Sequence, residues 1–105
     1  MGELYCVGNM EEYAVSSIQF APQATDDKTR YVIAFSALMG NKRVECAISY
    51  QALRNHFGAD YDNPMPAFIT HRQRIEQLTA TFIRQDRFES DGTILIRSHD
   101  VPPGT

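Results

Sequence analysis

Two hydrophobic periods alternate along this chain of 105 residues. The helical one is clearest in the second half, where Phe68, Ile75 and Phe82 recur every seven residues with Leu78 between them. At 100° per residue they fall within about one quadrant, a stripe that suits a helix and not a strand. The pattern predicts one long helix over Pro66–Arg87, entered through Pro64 and Pro66, since a proline is tolerated in a first turn that has no use for its missing N–H. Such a helix runs about 33 Å and would overhang strands of about 20 Å.

The first half alternates with period two. A strand is predicted over Val15–Phe20, with Ile18 and Phe20 on one side, ended by Pro22; Gln23–Thr29 then reads as a polar loop. A second strand over Arg30–Met39 puts Tyr31, Ile33, Phe35 and Ala37 on one face. Gly40-Asn41 suits a two-residue type II′ turn, and a third strand follows over Lys42–Ile48. Pairing Met39 with Lys42 sets Ala37 against Val44, Phe35 against Cys46 and Ile33 against Ile48. A slip of one residue would ruin that match, so the hairpin register is well specified. Ser49 reads as the N-cap and Gly58 as the left-handed terminator of a short helix over Tyr50–Phe57. A last strand over Thr93–Ser98 turns Ile94 and Ile96 inward.

The order is β-β-β-α-α-β, an α+β two-layer sandwich with a mostly antiparallel four-stranded sheet and one short and one long helix on one face. Residues 1–12 read as a weakly structured N-terminal arm, 13–99 as a single domain and 100–105 as a disordered tail. Pattern alone leaves open whether the last strand lies beside the first or the third.

Composition narrows the classes. The net charge is −3 and the pI about 5.5, which disfavours a general nucleic-acid binder. Two cysteines far apart, Cys6 and Cys46, and the lack of a long apolar run indicate a reduced, cytoplasmic protein without a membrane segment. No cofactor or metal motif stands out. Asp60, Asp62 and Asn63 start like a calcium loop, but Met65 and His71 occupy the places of its Gly and Glu.

The segments Cys46-Ala-Ile-Ser49, Ala52-Leu53, Phe68…His71-Arg72…Ile75 and Gly92-Thr-Ile-Leu-Ile96 resemble a small bacterial family catalogued as domain of unknown function 1488. The likeness runs from about Ser17 to Ser98 and leaves out the segment before Tyr13. It implies a compact α+β fold of the same element order, and it implies no activity, substrate or cofactor.

Some side chains are candidates for chemistry. His71 falls within the helical stripe and is either a base or a core-edge histidine. Arg72, just off the stripe, is either a carboxylate or phosphate clamp or a partner of Glu76 or Glu45. Arg74, Arg84 and Arg87 sit on outer helix faces, either as a basic contact surface or as a solvated one. Cys46, on the inward face of a strand, reads as an inert thiol. With helices on the Ile33/Phe35 face, Val32, Ala34, Ala47 and Leu95 look outward beside Arg43, Glu45 and Arg97, and Ile69 and Ile83 lie on the flank of the long helix. The balance favours a non-enzymatic interaction or structural module that self-associates as a homodimer. The alternatives are a regulatory binder of nucleic acid or an acidic partner through the arginine-bearing face, and a small-ligand pocket near His71 and Arg72.

Overall fold

A computed structural model describes residues 18–102. The N-terminal arm, Cys6, the start of the first predicted strand and residues 103–105 lie outside them.

Strands β1 (Ile18–Asp27), β2 (Val32–Met39), β3 (Lys42–Ser49) and β4 (Ile94–Ile96) form a four-stranded sheet in that order. The β2–β3 register is the one the hydrophobic match requires: Met39 opposes Lys42, Phe35 opposes Cys46 and Ile33 opposes Ile48. At the turn Gly40 has φ 65° and Asn41 has no positive φ, as type II′ geometry demands.

Strand β1 is longer than the pattern suggests. It reads through Pro22 to Asp27 because the chain bulges: Phe20 opposes Ala37 and Ala24 opposes Phe35, with the register shifting between them. A bulge at an edge strand accommodates a proline that cannot donate to a ladder. The loop after it is short, and Asp27 caps it by accepting from the Thr29 and Arg30 N–H groups at 3.1 and 3.2 Å. Tyr31, placed inside a strand by pattern, is instead the last turn residue, with φ 58°.

Helix α1 (Tyr50–Phe57) begins at Ser49, whose hydroxyl accepts from the Ala52 N–H at 3.0 Å, and ends at left-handed Gly58. The single long helix is corrected to two, α2 (Met65–Thr70) and α3 (Arg72–Arg84), joined at His71 with φ −106° and ψ 18°. Hydrogen bonds still bridge the joint, from His71 N–H to Ala67 O and from Ile75 N–H to His71 O, both 3.0 Å. The stripe survives the break, since Phe68, Ile75, Leu78 and Phe82 are all buried. Helix α3 stops short of Arg87 in a Schellman arrangement: Asp86 (φ 60°) donates to Ile83 O and Arg87 to Phe82 O, each at 3.0 Å.

Strand β4 settles beside β3 and runs parallel to it, with Cys46 opposite Ile94 and Ile48 opposite Ile96. A parallel pair needs a long crossover, and α1–α3 supply it. After β4 the chain makes a 3-10 turn, Ser98–Asp100, and Val101 is buried in the core. Asp100 and Val101, expected to lie in a disordered tail, are therefore part of the fold, because one more apolar side chain finds a site in the core. Ile83 is also corrected: it is 6% exposed and belongs to the core, while Ile69 on α2 is 62% exposed. No helix among the described residues is long and apolar enough to cross a membrane.

Ile75 is fully buried between helix and sheet. Truncation to alanine is expected to lower unfolding free energy by about 2–5 kcal/mol, read as a shifted urea midpoint at unchanged slope.

Candidate functional site

The bend in the helix pair sends the two adjacent candidates to different places. The His71 ring is exposed and packs against Phe57, with centroids 5.2 Å apart. It sits in an open groove of about 390 Å³ with Phe57, Asp60, Asn63 and Ala67. Arg72 turns instead toward the β1 bulge. Its guanidinium donates to Pro22 O (2.9 Å), Ala21 O (2.6 Å) and Glu76 Oε2 (2.8 Å), and it lies over the Phe68 ring at 5.3 Å. A strand that bulges frees carbonyls from its ladder, and a planar five-donor fork can satisfy two of them and a carboxylate at once. The structure does not bring His71 and Arg72 to a shared cavity.

The arginines of α3 also separate. Arg87 lies over Phe82 at 3.9 Å and pairs with Asp100 at 3.1 Å, which ties the end of the helix to the 3-10 turn. Arg84 is exposed and donates to Thr81 Oγ1 at 3.2 Å. Arg74 is exposed near the other end of the helix, about 15 Å away along the axis. Cys46 is a free, buried thiol that donates to Val44 O at 3.5 Å. Burial, and then the Glu45 charge, push its pKa up to about 12, so it stays protonated and unreactive. Among the described residues no three His, Cys, Asp or Glu side chains converge as a metal-binding set.

Two surfaces draw residues together. The first is the sheet face opposite the helices. Val32 and Ala47 point there as expected, yet both are buried. The Glu89–Thr93 loop folds along this side and helps wall a cavity of about 610 Å³ with Ala34, Ala47 and Leu95. The loop is held by Arg97, which bonds both Glu89 oxygens at 3.0 and 3.1 Å, and by Asp91, which accepts from the Thr93 hydroxyl and N–H at 2.7 and 3.1 Å. These bonds, from Arg97 to Glu89 and from Thr93 to Asp91, hold both carboxyls below their ordinary range. A second trough of about 340 Å³ continues across Ala34, Ser36, Thr25 and Arg43. Arg43 Nε and Glu45 pair at 2.7 Å, both exposed. Leu38, on the same face by alternation, is 42% exposed.

The second surface was not anticipated. Tyr50 meets Tyr31 and Tyr61 edge to face, with centroids 5.7 and 6.0 Å apart. Its hydroxyl donates to the Asp26 carboxylate, which Lys28 also contacts at 2.9 Å. Burial opposes the ionisation of Asp26, but the bonds from Tyr50 and Lys28 and the Lys28 charge outweigh it and hold the pKa below its ordinary value of 3.8. Burial, followed by Asp26 itself, raises the Tyr50 pKa to about 12, so the phenol remains a donor. The hairpin register already implied the first half of this cluster. One step beyond Val32–Ser49 lie Tyr31 and Tyr50, and the Tyr50 N–H does donate to Tyr31 O at 2.9 Å. Tyr61 and Asp26 come from a loop and from the extended β1, and no local pattern points to them.

Replacing Arg72 with methionine is expected to cost about 1–3 kcal/mol, since two carbonyls and Glu76 lose their donors. Lysine should rescue only part of that loss, because a single ammonium cannot span three acceptors; urea titration of the two variants checks it. The Asp26 contribution has a definite sign. A carboxyl with a depressed folded pKa stabilises above its unfolded pKa and loses that stabilisation as pH falls. The wild type should therefore exceed Asp26→Asn in stability at neutral pH, and the gap should close between about pH 5 and pH 2, followed by paired denaturant melts.

Comparison with known proteins places the chain. A family model described as "Protein of unknown function (DUF1488)" matches residues 18–96. No curated protein matches. The crystal structure of a DUF1488 protein of unknown function from Shewanella loihica PV-4 is similar in fold, with a TM-score of 0.70 at 25% identity over 76% of this chain and 91% of that one.

Proposed function

We propose that this chain, which belongs to the DUF1488 family of proteins of unknown function, is a non-enzymatic interaction module that self-associates through the open face of its sheet. The observation that carries the reading is the asymmetry of the two faces. One is sealed by α1–α3, and the other is a trough floored by Ala34, Ser36 and Ala47 and lined by charges of both signs. Small side chains let another surface approach the sheet closely. Leu38 offers an exposed apolar anchor beside Arg43. Among the described residues Arg43 uses only Nε, toward Glu45, so its remaining donors can reach the Glu45 carboxylate of a second copy. A contact that presents one surface to itself needs such self-complementarity. In Arg84 and Arg87 the helical face has side chains already engaged within the fold, which favours the sheet over the arginine-bearing helix as the contact surface.

Sedimentation velocity over a concentration series is expected to show a monomer–dimer equilibrium. Glu45→Arg should weaken it at least about 10-fold by placing like charges together, and Arg43→Glu combined with Glu45→Arg should restore it. A monomer throughout the high-micromolar range, or equal dissociation constants for all three proteins, would remove the proposal.

A further inference from the structure

The tyrosine cluster has the geometry of a cation receptor. Tyr50 is buried while Tyr31 and Tyr61 are 62% and 44% exposed, so Tyr50 forms a floor and the other two form walls. Their planes stand at 80° and 75° to it, and all three rings line one depression of about 290 Å³. Tyr31 is held there at a cost. A bulky residue with φ 58° occupies backbone space that L side chains rarely adopt, and such strain persists where the surroundings impose it. The Tyr50 N–H bond to Tyr31 O is part of what does so.

The electrostatics select the occupant. The Tyr50 hydroxyl donates to the Asp26 carboxylate, which draws the phenol toward phenolate character and makes its ring face more negative. Asp27 adds charge nearby, although it also neutralises Arg30, the one cation lining the depression among the described residues, across 3.8 Å. Arg54 already lies over the Tyr61 ring at 5.0 Å, evidence that this ring accepts a cation. The polar groups at the base of the depression are engaged, since the Ser49 hydroxyl caps α1 and the Tyr50 hydroxyl is turned to Asp26, which leaves the Gln51 amide and the phenol oxygens of Tyr31 and Tyr61 as its acceptors among the described residues. A primary ammonium brings three N–H donors, more than these few groups serve well, whereas a quaternary one has none to satisfy.

We propose that the Tyr31–Tyr50–Tyr61 box binds an alkylated ammonium group, carried by a small molecule or by a methylated lysine side chain. This stands independently of self-association, because the box lies at the β1–β2 turn and the start of α1 and has only Arg30 in common with the cavity along Ala34 and Ala47.

The full chain lacks tryptophan and has five tyrosines, three of them in the box, so tyrosine emission reports on the box in part and the ring proton shifts assigned to Tyr31, Tyr50 and Tyr61 report on it directly. Titration with choline and with a short trimethyllysine peptide, each beside its neutral tert-butyl isostere, is expected to saturate for at least one cation. The tighter of the two identifies the source of the group. Tyr31→Ala and Tyr61→Ala should each weaken binding at least about 5-fold, and Tyr61→Phe should retain it. Both walls are exposed, so unchanged melting temperatures will show that the variants fold. The proposal is overturned if neither cation saturates, if the neutral isosteres bind as well as the cations, or if the alanine variants bind like the wild type.

Discussion

The register of the β2–β3 hairpin governs every surface of this molecule. A type II′ turn at Gly40-Asn41 pairs Met39 with Lys42, and because side chains alternate with period two, that single pairing assigns each residue of both strands to a face. Ile33, Phe35, Ala37, Val44, Cys46 and Ile48 go to the core. Ala34, Ser36, Leu38, Arg43, Glu45 and Ala47 go to the other side. The same register delivers Tyr31 to Tyr50 at the far end of the hairpin. A slip of one residue would bury the charges and expose the core, so the pairing has no near competitor.

The helices answer to that sheet. Their shared stripe seals one face, and Phe68 and Ile75 stay buried on either side of the break at His71. The cost of fitting falls on β1, whose bulge around Pro22 frees carbonyls from the ladder. Arg72 resolves it, binding Ala21 O, Pro22 O and Glu76. A side chain that looks like a ligand clamp in the sequence is thus spent on joining helix to strand. Arg87 is spent similarly on Phe82 and Asp100. In a domain this small, long polar side chains are among the few groups that can bridge elements whose backbones do not meet.

The surfaces left for function were only partly legible. The open sheet face follows from alternation, and Leu38 could have been placed on it by the same count that placed Ala34. Its concavity was not legible, because the Glu89–Thr93 loop walls it only where β4 pairs beside β3, a placement that pattern leaves open. The tyrosine box was half legible: register pairs Tyr31 with Tyr50, while Tyr61 and Asp26 arrive from segments with no periodic signal. His71 shows the opposite failure. Helical phase put it in the apolar stripe, and the bend that centres on it turned it outward to Phe57.

By itself the sequence determined the α+β class, the hairpin and its register, the capped short helix and the stripe that faces the core. Each of these rests on local periodicity or on a turn residue whose backbone preference needs no distant partner. Tertiary structure decided where β4 pairs, where the long helix bends, that β1 continues past Pro22, and that Ile83 and Val101 are buried. Those outcomes depend on which remote groups are present to take a freed carbonyl or fill a space in the core, and no window of neighbouring residues contains that information.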